Sequence, residues 1–599
     1  MMLGIIMRSA RKETFMKRIT TLFCTAALSL CSTAAYFPAN IAAYAAENPD
    51  YPGIQYEVYS DSVTITKTWS ELPENAVIPA EIDGKPVTCI APKAFRGRDV
   101  KSISIPESVT FIGDHAFAEC HSLDTAELPE NLTAISSGLF QSCESLKAVK
   151  IPDKVTSIGD EAFSDCTALS EITIPEGVTE IGTYALHGTA WLAAQIETDP
   201  FVVVNHILID GSGCQGDITV PEGVTKICSR AFRNVTGLTG VTIPEGVTEI
   251  GTYAFWKCAD LKRVDLPESL EQIDSYAFYM CTTLSDLEIP ANVKNIGSYA
   301  FMNTRWISAQ RKKNPLVIVN QIVVDGIACK DAVEIPEGVT AVSGMAFSKN
   351  TLMTGITLPE SVTSIGESAF FNCSALAEIT VPETVTEIGR SAFSGTEWLS
   401  AKQSENPLVT VGKLLIDGTA VSGTAEIPAG VTQICGSAFE GAKQVRDIIV
   451  PESVTSIGDY AFDCTGLHSV TLPASVERIG DYYLYTMPGA GFKGKTGSYA
   501  EQYAKEYGIP FEQTAESGFL LGDYNENGKV ESDDAQNVLN YYVKTLSGSN
   551  QTLSERKQRI CDVNTDGVVD VTDAQYILLY YVKNTVAKNP TTWEQLLAK

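Results

Sequence analysis

The segment Ile151–Thr173, with the sequence IPDKVTSIGDEAFSDCTALSEIT, is one unit of a repeat that dominates the chain. An Ile, Leu or Val followed by Pro recurs at residues 105, 128, 151, 174, 220, 243, 266, 289, 335, 358, 381, 427, 450 and 472. Nine of the steps between these positions are 23 residues long, three are 46 and one is 22. This fixed period predicts stacked units, because a unit this small can bury its apolar side only against a neighbour.

The end of the unit predicts a β-strand. Leu169, Ile172 and Ile174 follow the pattern L-x-x-L-x-L, which forms the strand of a leucine-rich repeat. Five further apolar residues fill the rest of the turn, namely Val155, Ile158, Ala162, Phe163 and Cys166. The sequence therefore predicts a leucine-rich-repeat solenoid over residues 105–480, with parallel strands, about 16 turns of 23 residues, and short helical or irregular segments.

The three 46-residue steps contain double units that resemble one another. Each has a Trp (Trp191, Trp306 or Trp398) that leads to a Pro-x-Val stretch and then to an Asp-Gly pair. These pairs begin at Asp210, Asp325 and Asp417. The three double units therefore match one another in sequence.

The repeated pattern IPxxVTxIGxxAFxxCxxL resembles the BspA-like (Treponema-type) leucine-rich repeats of bacterial surface proteins. The resemblance covers about residues 78–515, over which the pattern returns more than ten times. Residues 46–104 are then expected to form an N-terminal cap and a first irregular repeat. Residues 481–516 break the period and predict a helix and a strand that cap the other end.

The N-terminus has the pattern of an export signal. Lys17 and Arg18 precede an apolar run at residues 22–30, and residues 43–45 (Ala-Tyr-Ala) offer a small-x-small cleavage site. We therefore expect residues 1–45 to be a signal peptide. No later stretch reaches the roughly 18 apolar residues that a membrane span needs. The expected location is secreted and extracellular, or at the cell surface.

The composition limits the classes of partner. Lys and Arg total 44 against 73 Asp and Glu, so the net charge is −29. Nucleic acids and anionic membranes are also negatively charged and would be repelled. The chain contains only five histidines, which leaves few candidates for general bases or zinc ligands. We therefore expect no nucleic-acid binding, no membrane insertion and no histidine-rich metal centre.

Cysteine usage follows the repeat period. Six cysteines occupy one position of the unit, namely Cys120, Cys143, Cys166, Cys258, Cys281 and Cys373. Disulfides are the usual state of cysteines in exported proteins. One thiol per turn at a fixed position, however, is typical of a small buried hydrophobic residue. We therefore expect free thiols in the repeats.

Two loops near the C-terminus have the spacing of calcium ligands. They span residues 523–534 and 562–573, with oxygen ligands at positions 1, 3, 5, 9 and 12, a backbone carbonyl at 7 and Gly at 6. This spacing wraps hard oxygen ligands round one ion in each loop. The predicted ligands of two Ca²⁺ ions are Asp523, Asn525, Asn527, Lys529, Glu531, Asp534, Asp562, Asn564, Asp566, Val568, Asp570 and Asp573. The alternative is a pair of Asp/Asn-rich turns that only cap helices.

Each loop leads into a near-identical helix, at residues 535–544 and 574–583. A duplicated loop–helix with Asp at position 12 resembles the dockerin modules of cellulosomal proteins over roughly residues 518–590. The resemblance implies a small all-α module (517–590) that binds calcium and docks on a cohesin of a scaffoldin, followed by a tail (591–599). By the same resemblance, cohesin contacts fall on loop positions 10 and 11 and on the helices, at Ser532, Asp533, Leu539, Asn540, Lys544, Val571, Thr572, Leu578, Leu579 and Lys583.

Three adjacent turns are rich in aromatic residues. The positions on either side of their Ala-Phe pairs hold Tyr253, Trp256, Tyr276, Tyr279, Tyr299 and Met302. If both positions point outward, the six side chains form an apolar patch of the kind that marks interaction sites. If one position turns inward, the rings only pack between turns. This flank is the predicted docking surface for an unknown protein ligand of the repeats.

These features predict an exported, non-catalytic protein that attaches to a cellulosome, a polysaccharide-degrading assembly, and presents its repeats to a protein partner. A surface adhesin and a protease inhibitor are alternatives. A hydrolase with its site in the double units is the third alternative. His187 and His206 lie in the first double unit, but without a Cys or Ser nucleophile in a recognisable setting.

Overall fold

The computed structural model describes residues 53–59, 61–68, 72–464, 466–480, 490–514, 520–525, 529–547, 553, 555–564, 567–587 and 591–597. The predicted signal peptide lies outside these ranges. Within them, each repeat unit forms two short strands that pair in parallel with the equivalent strands of neighbouring turns. Strands of series A end just before the Ile/Leu/Val-Pro pair or its equivalent. Strands of series B end near the Gly of the IPxxVTxIG pattern, as β11 (Ser157–Ile158) ends before Gly159.

Series A contains the strand that the L-x-x-L-x-L pattern predicts. In β10 and β12, Val149 lies opposite Ile172, the equivalent residue of the next unit. The strands of series A are β3 Asn75–Val77, β6 Ser102–Ser104, β8 Thr125–Glu127, β10 Ala148–Lys150, β12 Glu171–Thr173, β16 Gly216–Thr219, β18 Leu238–Thr242, β20 Arg263–Asp265, β22 Asp286–Leu287, β26 Asp331–Glu334, β28 Met353–Thr357, β30 Glu378–Thr380, β34 Gly423–Glu426, β36 Val445–Ile449, β38 Ser469–Thr471, β40 Gly491–Gly494 and β41 Phe511–Gln513. The pairing register therefore equals the sequence period.

Series B strands are mostly two residues long. Their register also joins equivalent residues of successive units, with Ile158 of β11 opposite Ile181 of β13. The strands of series B are β5 Lys85–Ile90, β7 Phe111–Ile112, β9 Ala134–Ile135, β11 Ser157–Ile158, β13 Glu180–Ile181, β15 Ile207–Asp210, β17 Lys226–Ile227, β19 Glu249–Ile250, β21 Gln272–Ile273, β23 Asn295–Ile296, β25 Ile322–Asp325, β27 Ala341–Val342, β29 Ser364–Ile365, β31 Glu387–Ile388, β33 Leu414–Asp417, β35 Gln433–Ile434, β37 Ser456–Ile457 and β39 Arg478–Ile479. These strands continue the backbone hydrogen bonding on a second side of each turn.

The core between the two series is a column of stacked phenylalanines. The ring centroids of Phe117, Phe140 and Phe163 are 5.7 and 5.8 Å apart in successive turns. Those of Phe255 and Phe278 are 5.2 Å apart and nearly parallel, at 4°. The five turn-filling residues predicted for the unit Ile151–Thr173 are all buried. Stacked aromatic rings and aliphatic columns therefore stabilise each turn against the next.

The three double units interrupt the sheets in the same way. Each inserts a helix, α1 (Ala190–Thr198), α2 (Arg305–Lys313) or α3 (Glu397–Glu405), and each helix begins after a Thr whose hydroxyl accepts a backbone N–H. An antiparallel strand follows each helix and pairs with the next strand of series B. These three strands are β14 Val202–Val204, β24 Val317–Val319 and β32 Val409–Val411. The three double units, which match in sequence, therefore also share one local structure.

The structure confirms the predicted parallel-strand solenoid and lengthens it to about 19 turns over the described residues. The additional turns lie at the two ends, where β5 precedes the predicted stack and β40 and β41 extend it. At the N-terminal end, β1 (Ile54–Val58) and β2 (Val63–Thr68) form a hairpin, and β2 pairs in parallel with β5. The short strand β4 (Glu81–Ile82) pairs with the beginning of β5.

The two ends of the solenoid contact each other. The C-terminal cap consists of α4 (Tyr499–Tyr507) and β41, the helix and strand that the sequence predicts there. The buried hydroxyl of Tyr59, after β1, donates to the carbonyl oxygens of Ala504 at 2.9 Å and Ile509 at 3.2 Å. Lys505 of α4 forms an ion pair with Asp61, with 2.6 Å between Nζ and Oδ1. The capping segment therefore packs against the N-terminal hairpin as well as against its own end of the stack.

A small helical module follows the solenoid. It contains α5 (Ser532–Leu546), α6 (Glu555–Cys561), α7 (Val571–Tyr581), a π-helical turn (Val582–Val586) and α8 (Trp593–Leu597). Its core is formed by Val530, Ala535, Val538, Ile560, Cys561, Val563, Val569, Ala574 and Ile577. Trp593 of α8 stacks on Tyr580 with ring centroids 4.2 Å apart, so the packing continues into the segment predicted as a tail. No described helix is long and apolar enough to span a bilayer.

The thirteen cysteines among the described residues are buried thiols. Each of the six that share one position of the unit donates its thiol hydrogen to a Phe carbonyl of the preceding turn, as Cys166 does to Phe140 at 3.0 Å. The same contact joins Cys373 to Phe347 at 2.9 Å. The thiols therefore act as small core residues that also bond one turn to the next.

We expect the repeat thiols to be unreactive until the protein unfolds. Burial raises the pKa of the Cys166 thiol to about 12. At pH 8 the thiolate fraction should therefore fall about a thousandfold below that of an exposed cysteine, and the thiolate is the reacting species. Iodoacetamide labelling followed by peptide mass spectrometry should modify Cys166 in denaturant but not in the native protein. Rapid labelling of native Cys166 would contradict its placement in the core.

Candidate functional site

The two predicted calcium loops bury carboxylates at their ends. Asp534, at position 12 of the first loop, is fully buried and accepts the N–H groups of Asn525 at 3.0 Å and Glu531 at 2.8 Å. Asp523, at position 1, is 3% exposed. The loop backbone thus folds round the position-12 carboxylate, which holds the two ends of the loop together.

The second loop has the same arrangement. The fully buried Asp573 accepts the N–H groups of Val563 at 2.9 Å, Asn564 at 3.3 Å and Asp570 at 2.9 Å. Asp562 accepts the N–H of Gly567 at 2.9 Å. Burial raises the pKa of Asp573 above its usual range, and the charge of Asp562 adds to the effect. Both loops therefore hold carboxylates at positions that are largely shielded from solvent.

This donor set fits a hard divalent cation. Uncompensated carboxylates in a buried loop repel one another, and calcium prefers carboxylate and carbonyl oxygens. Of the predicted ligands, Glu531, Asp562, Asn564 and Asp570 are half-buried, whereas Asn525, Lys529 and Val568 are exposed. Asn527 and Asp566 lie outside the described residues. Within the described part of the chain, no three His, Cys, Asp or Glu side chains converge as a metal cluster.

Positions 9 and 12 also form the starts of the helices. Glu531 with Asp534 and Asp570 with Asp573 form capping boxes at α5 and α7. Helix capping, the alternative interpretation of these turns, is therefore present in both loops. It accounts for positions 9 and 12 and does not involve the buried Asp523 at position 1.

The predicted cohesin contacts lie on α5 and α7, apart from Lys583, which lies in the π-helical turn after α7. Leu578 and Leu579 are 45% and 42% exposed, which is unusual for leucine in a small core-forming module. Ser532, Asp533, Asn540 and Lys544 are also exposed, whereas Leu539, Val571, Thr572 and Lys583 are half-buried. The structure therefore places an accessible apolar row on the second helix.

The aromatic flank of the repeats forms a continuous ladder. Tyr253 and Tyr276 stack at 4.7 Å, and Tyr276 meets Tyr299 edge-on at 5.9 Å. Trp256 and Tyr279 each contact the neighbouring ladder ring edge-on, at 6.0 and 5.4 Å. All six predicted flank residues, including Met302, are half-buried. Each side chain thus packs on the adjacent turns and also presents part of its surface to solvent.

The double units are held by buried polar contacts. Arg311 of α2 donates from Nε to Asp325 at 2.8 Å, and Gln403 of α3 occupies the equivalent place opposite Asp417 at 2.9 Å. His206 lies 2.9 Å from the carbonyl oxygen of Gly223, and His187 lies 3.9 Å from a carboxylate oxygen of Asp165. These partners of the two histidines belong to the repeat scaffold.

Comparison with known families identifies both parts of the chain. The BspA type leucine rich repeat region matches residues 88–199, 211–322, 327–421 and 419–488, in six copies. The chain belongs to the BspA-type leucine-rich repeat family. The dockerin type I domain matches residues 521–580, so the C-terminal module is a dockerin. Dockerins point to a cohesin-binding component of cellulosome type, and leucine-rich repeats point to protein interaction. Leucine-rich repeats and dockerins are both non-catalytic types of module.

Several solved structures resemble the chain, although no curated protein matches it. A leucine-rich repeat protein from Bacteroides ovatus is 22% identical over 74% of this chain and 98% of that chain, with a TM-score of 0.22. A leucine rich cell surface protein from Faecalibacterium prausnitzii is 24% identical over 80% and 98%, with a TM-score of 0.21. The T. pallidum leucine rich repeat protein is 27% identical over 39% and 88%, with a TM-score of 0.23.

Sequence reasoning missed part of the exposed apolar surface of the dockerin. Val582 and Val586 follow Leu578 at four-residue intervals and are 40% and 62% exposed. On the first helix, Val543 and Leu546 are 55% and 70% exposed. A spacing of three or four residues was the available signal, because it places side chains on one helix face. Each half of the dockerin therefore presents a row of apolar side chains.

Proposed function

We propose that this protein is an exported, non-catalytic cellulosome component. Its dockerin binds a cohesin of a scaffoldin in a calcium-dependent way, and its repeats present a surface to a second protein. The observation that carries the proposal is the duplicated loop–helix with exposed apolar rows on both helices, since monomers seldom expose such rows without a partner. In this role the protein brings its repeat ligand to a polysaccharide-degrading assembly.

The aromatic flank is the proposed docking surface of the repeats. It is favoured over the series A face, where the residue before each Ile/Leu/Val-Pro is mostly Thr or an acid and never aromatic. Partly exposed Tyr and Trp side chains held by their neighbours lose little conformational freedom on binding, which favours them as interface anchors.

The cohesin contact can be tested on the dockerin helices of the full-length chain. We expect Leu539→Asp and Leu578→Asp, combined, to weaken binding of a recombinant type I cohesin by about thirtyfold or more, because buried interface anchors contribute about 2 kcal/mol. Isothermal titration calorimetry in excess calcium gives the Kd. The single variants show whether one helix or both carry the contact.

Val568→Thr is the matched control, because Val568 is 58% exposed and is predicted to offer calcium only its backbone carbonyl. Its cohesin affinity should be unchanged. Unchanged affinity of the combined Leu variant, with circular dichroism showing a folded module, would overturn the proposed contact.

A further inference from the structure

We infer that the aromatic flank binds an acidic segment of its protein partner, through three cations that lie among its rings. The inference rests on the proposed role of the flank as a docking surface and adds the chemistry of the partner. The three cations are Arg230, Arg233 and Lys257. Each lies over a tyrosine or tryptophan ring of the same ladder.

The cations extend the flank across the first double unit. The Arg230 guanidinium lies 4.7 Å from the ring centroid of Tyr184 and 5.2 Å from that of Tyr253. Tyr184 precedes the double unit, so a double-length step in sequence separates it from Arg230, yet their turns are neighbours on this side. Arg233 lies 4.6 Å and Lys257 4.2 Å from the centroid of Trp256.

These cations have no acidic partner in the part of the chain that the structure describes. There, no carboxylate lies within 4.0 Å of the side-chain nitrogens of Arg230, Arg233 or Lys257. In the same solenoid, Arg96 pairs with Glu119 at 2.6 Å and Arg390 pairs with Glu367 at 2.7 Å. A chain with 73 acidic residues has ample means to neutralise three cations. Their positive charge is therefore available to a carboxylate from outside.

The rings favour a peptide over a sugar. A sugar ring stacks on an open aromatic face, but Arg230 and Tyr276 both lie against the Tyr253 ring. Arg233 and Lys257 both lie over the Trp256 ring. One guanidinium N–H of Arg233 donates to the Tyr184 hydroxyl. The remaining guanidinium N–H groups and the ring edges suit carboxylates and aliphatic side chains.

The spacing of the cations suits an extended segment. Arg230 and Arg233 both lie beside the Tyr184 ring, at 4.7 and 5.7 Å from its centroid. Alternate side chains of an extended strand lie about 7 Å apart on one face. Two carboxylates at alternate positions can therefore reach both arginines, and apolar side chains further along the same strand face can contact Tyr279 and Met302.

Other turns of the solenoid show which residues can replace the three cations without disturbing the fold. Arg230 and Lys257 have left-handed backbones, with φ of 65° and 60°. Equivalent turns hold Ser368 and Asn372 at these two positions, with φ of 54° and 57°. The position of Arg233 is Ser in several other turns. The triple variant Arg230→Ser, Arg233→Ser, Lys257→Asn should therefore fold. Arg96→Ser is the matched control, because Arg96 holds the position of Arg233 in a turn outside the flank.

The probes are fluorescent decapeptides that carry Phe together with either Glu, Gln or Lys at alternate positions of one strand face, and a fluorescent oligogalacturonide. Binding of each probe is measured by anisotropy. We expect the Glu peptide to bind more tightly than the Gln peptide, and the Lys peptide not to bind. The triple variant should weaken Glu-peptide binding about tenfold, because exposed ion pairs contribute modestly. Added salt should weaken binding by the wild type more than by the variant. Arg96→Ser should change nothing.

Equal affinity for the Glu and Gln peptides would overturn the inference, as would binding of the oligogalacturonide alone. The proposed docking surface is judged separately, with Trp256→Ala and Tyr279→Ala. If these variants lose binding of every peptide while thermal stability is unchanged, the flank is a docking surface whatever the charge of its partner. If they lose several kcal/mol of stability instead, the rings serve the core and the docking role itself fails.

Discussion

Removing calcium from the full-length protein should weaken cohesin binding by more than about a hundredfold. Two loops each bring several carboxylates together, and Asp523, Asp534 and Asp573 are almost completely buried. A cation that binds only the folded module stabilises it by about 2.7 kcal/mol at a hundredfold excess over Kd. Without the cation this stabilisation is lost and carboxylate repulsion remains, so α5 and α7 should lose the orientation that presents their apolar rows.

The variant pair Asp523→Ala and Asp562→Ala should reproduce the effect in the presence of calcium. Each change removes the position-1 ligand of one loop and leaves the capping boxes at positions 9 and 12 in place. Cohesin affinity by calorimetry, with and without EDTA, is the measurement. The control pair, Asp153→Ala and Glu176→Ala, removes two acids from the solenoid surface and should bind cohesin normally. Cohesin binding that persists undiminished in excess EDTA would sink the calcium requirement.

Helix capping gives a competing account with a different outcome. If the loops only cap helices, EDTA should change neither the helical circular dichroism signal nor the affinity, because the Asp534 and Asp573 hydrogen bonds need no metal. If calcium is required, the thermal transition of the dockerin should move with calcium concentration while that of the solenoid stays fixed.

The repeat period predicted those parts of the fold in which equivalent residues of successive units stack on one another. The column of Phe117, Phe140 and Phe163 and the register of series A follow directly from the constant length of the unit. Series B did not emerge as strands, because segments such as Ser157–Ile158 are too short to show alternation. The two loops could be located in the sequence because calcium ligands would require a fixed spacing within one short segment.

Long-range contacts and interrupted columns could not be predicted in this way. No local pattern relates Tyr59 to Ala504, which are 445 residues apart and joined by a buried hydrogen bond. Tyr184 and Arg230 continue the aromatic flank, but the inserted α1 and its hairpin double the distance in sequence between them. The 46-residue step in the sequence relates the two positions, but the period alone does not place their side chains in contact across the inserted segment.

The other large effect is expected at the Asp-Gly pairs of the double units. A Cβ added to Gly326 would lie 2.1 Å from Cε1 of Phe347, and the equivalent distances are 2.2 Å from Gly211 to Phe232 and from Gly418 to Phe439. Each Phe is fully buried and belongs to the stacked column, so its ring has no space to move. Close approach to the ring, rather than backbone conformation, therefore explains why Gly follows each Asp.

Gly326→Ala should lower the free energy of unfolding by about 3 kcal/mol, because overpacking a tight core forces the ring or the backbone to shift. Gly355→Ala is the control within the same stack of turns. Its Cβ would meet the side chain of Glu378 at 3.6 Å, an ordinary contact, so its effect should be near zero or slightly stabilising. Urea denaturation gives both values, and hydrogen exchange shows whether the loss is confined to the turns beside α2.

The variant Phe347→Leu tests whether the Phe347 ring is the group that clashes with the methyl group of Gly326→Ala. Alone it should destabilise the protein, because it removes a ring that stacks on Phe370 at 5.2 Å. Combined with Gly326→Ala it should cost less than the sum of the two single changes, because the smaller side chain makes room for the new methyl group. Strict additivity would place the strain elsewhere. Equal stability of Gly326→Ala and Gly355→Ala would show that the ring can yield, and the shared Asp-Gly pairs would then need another cause.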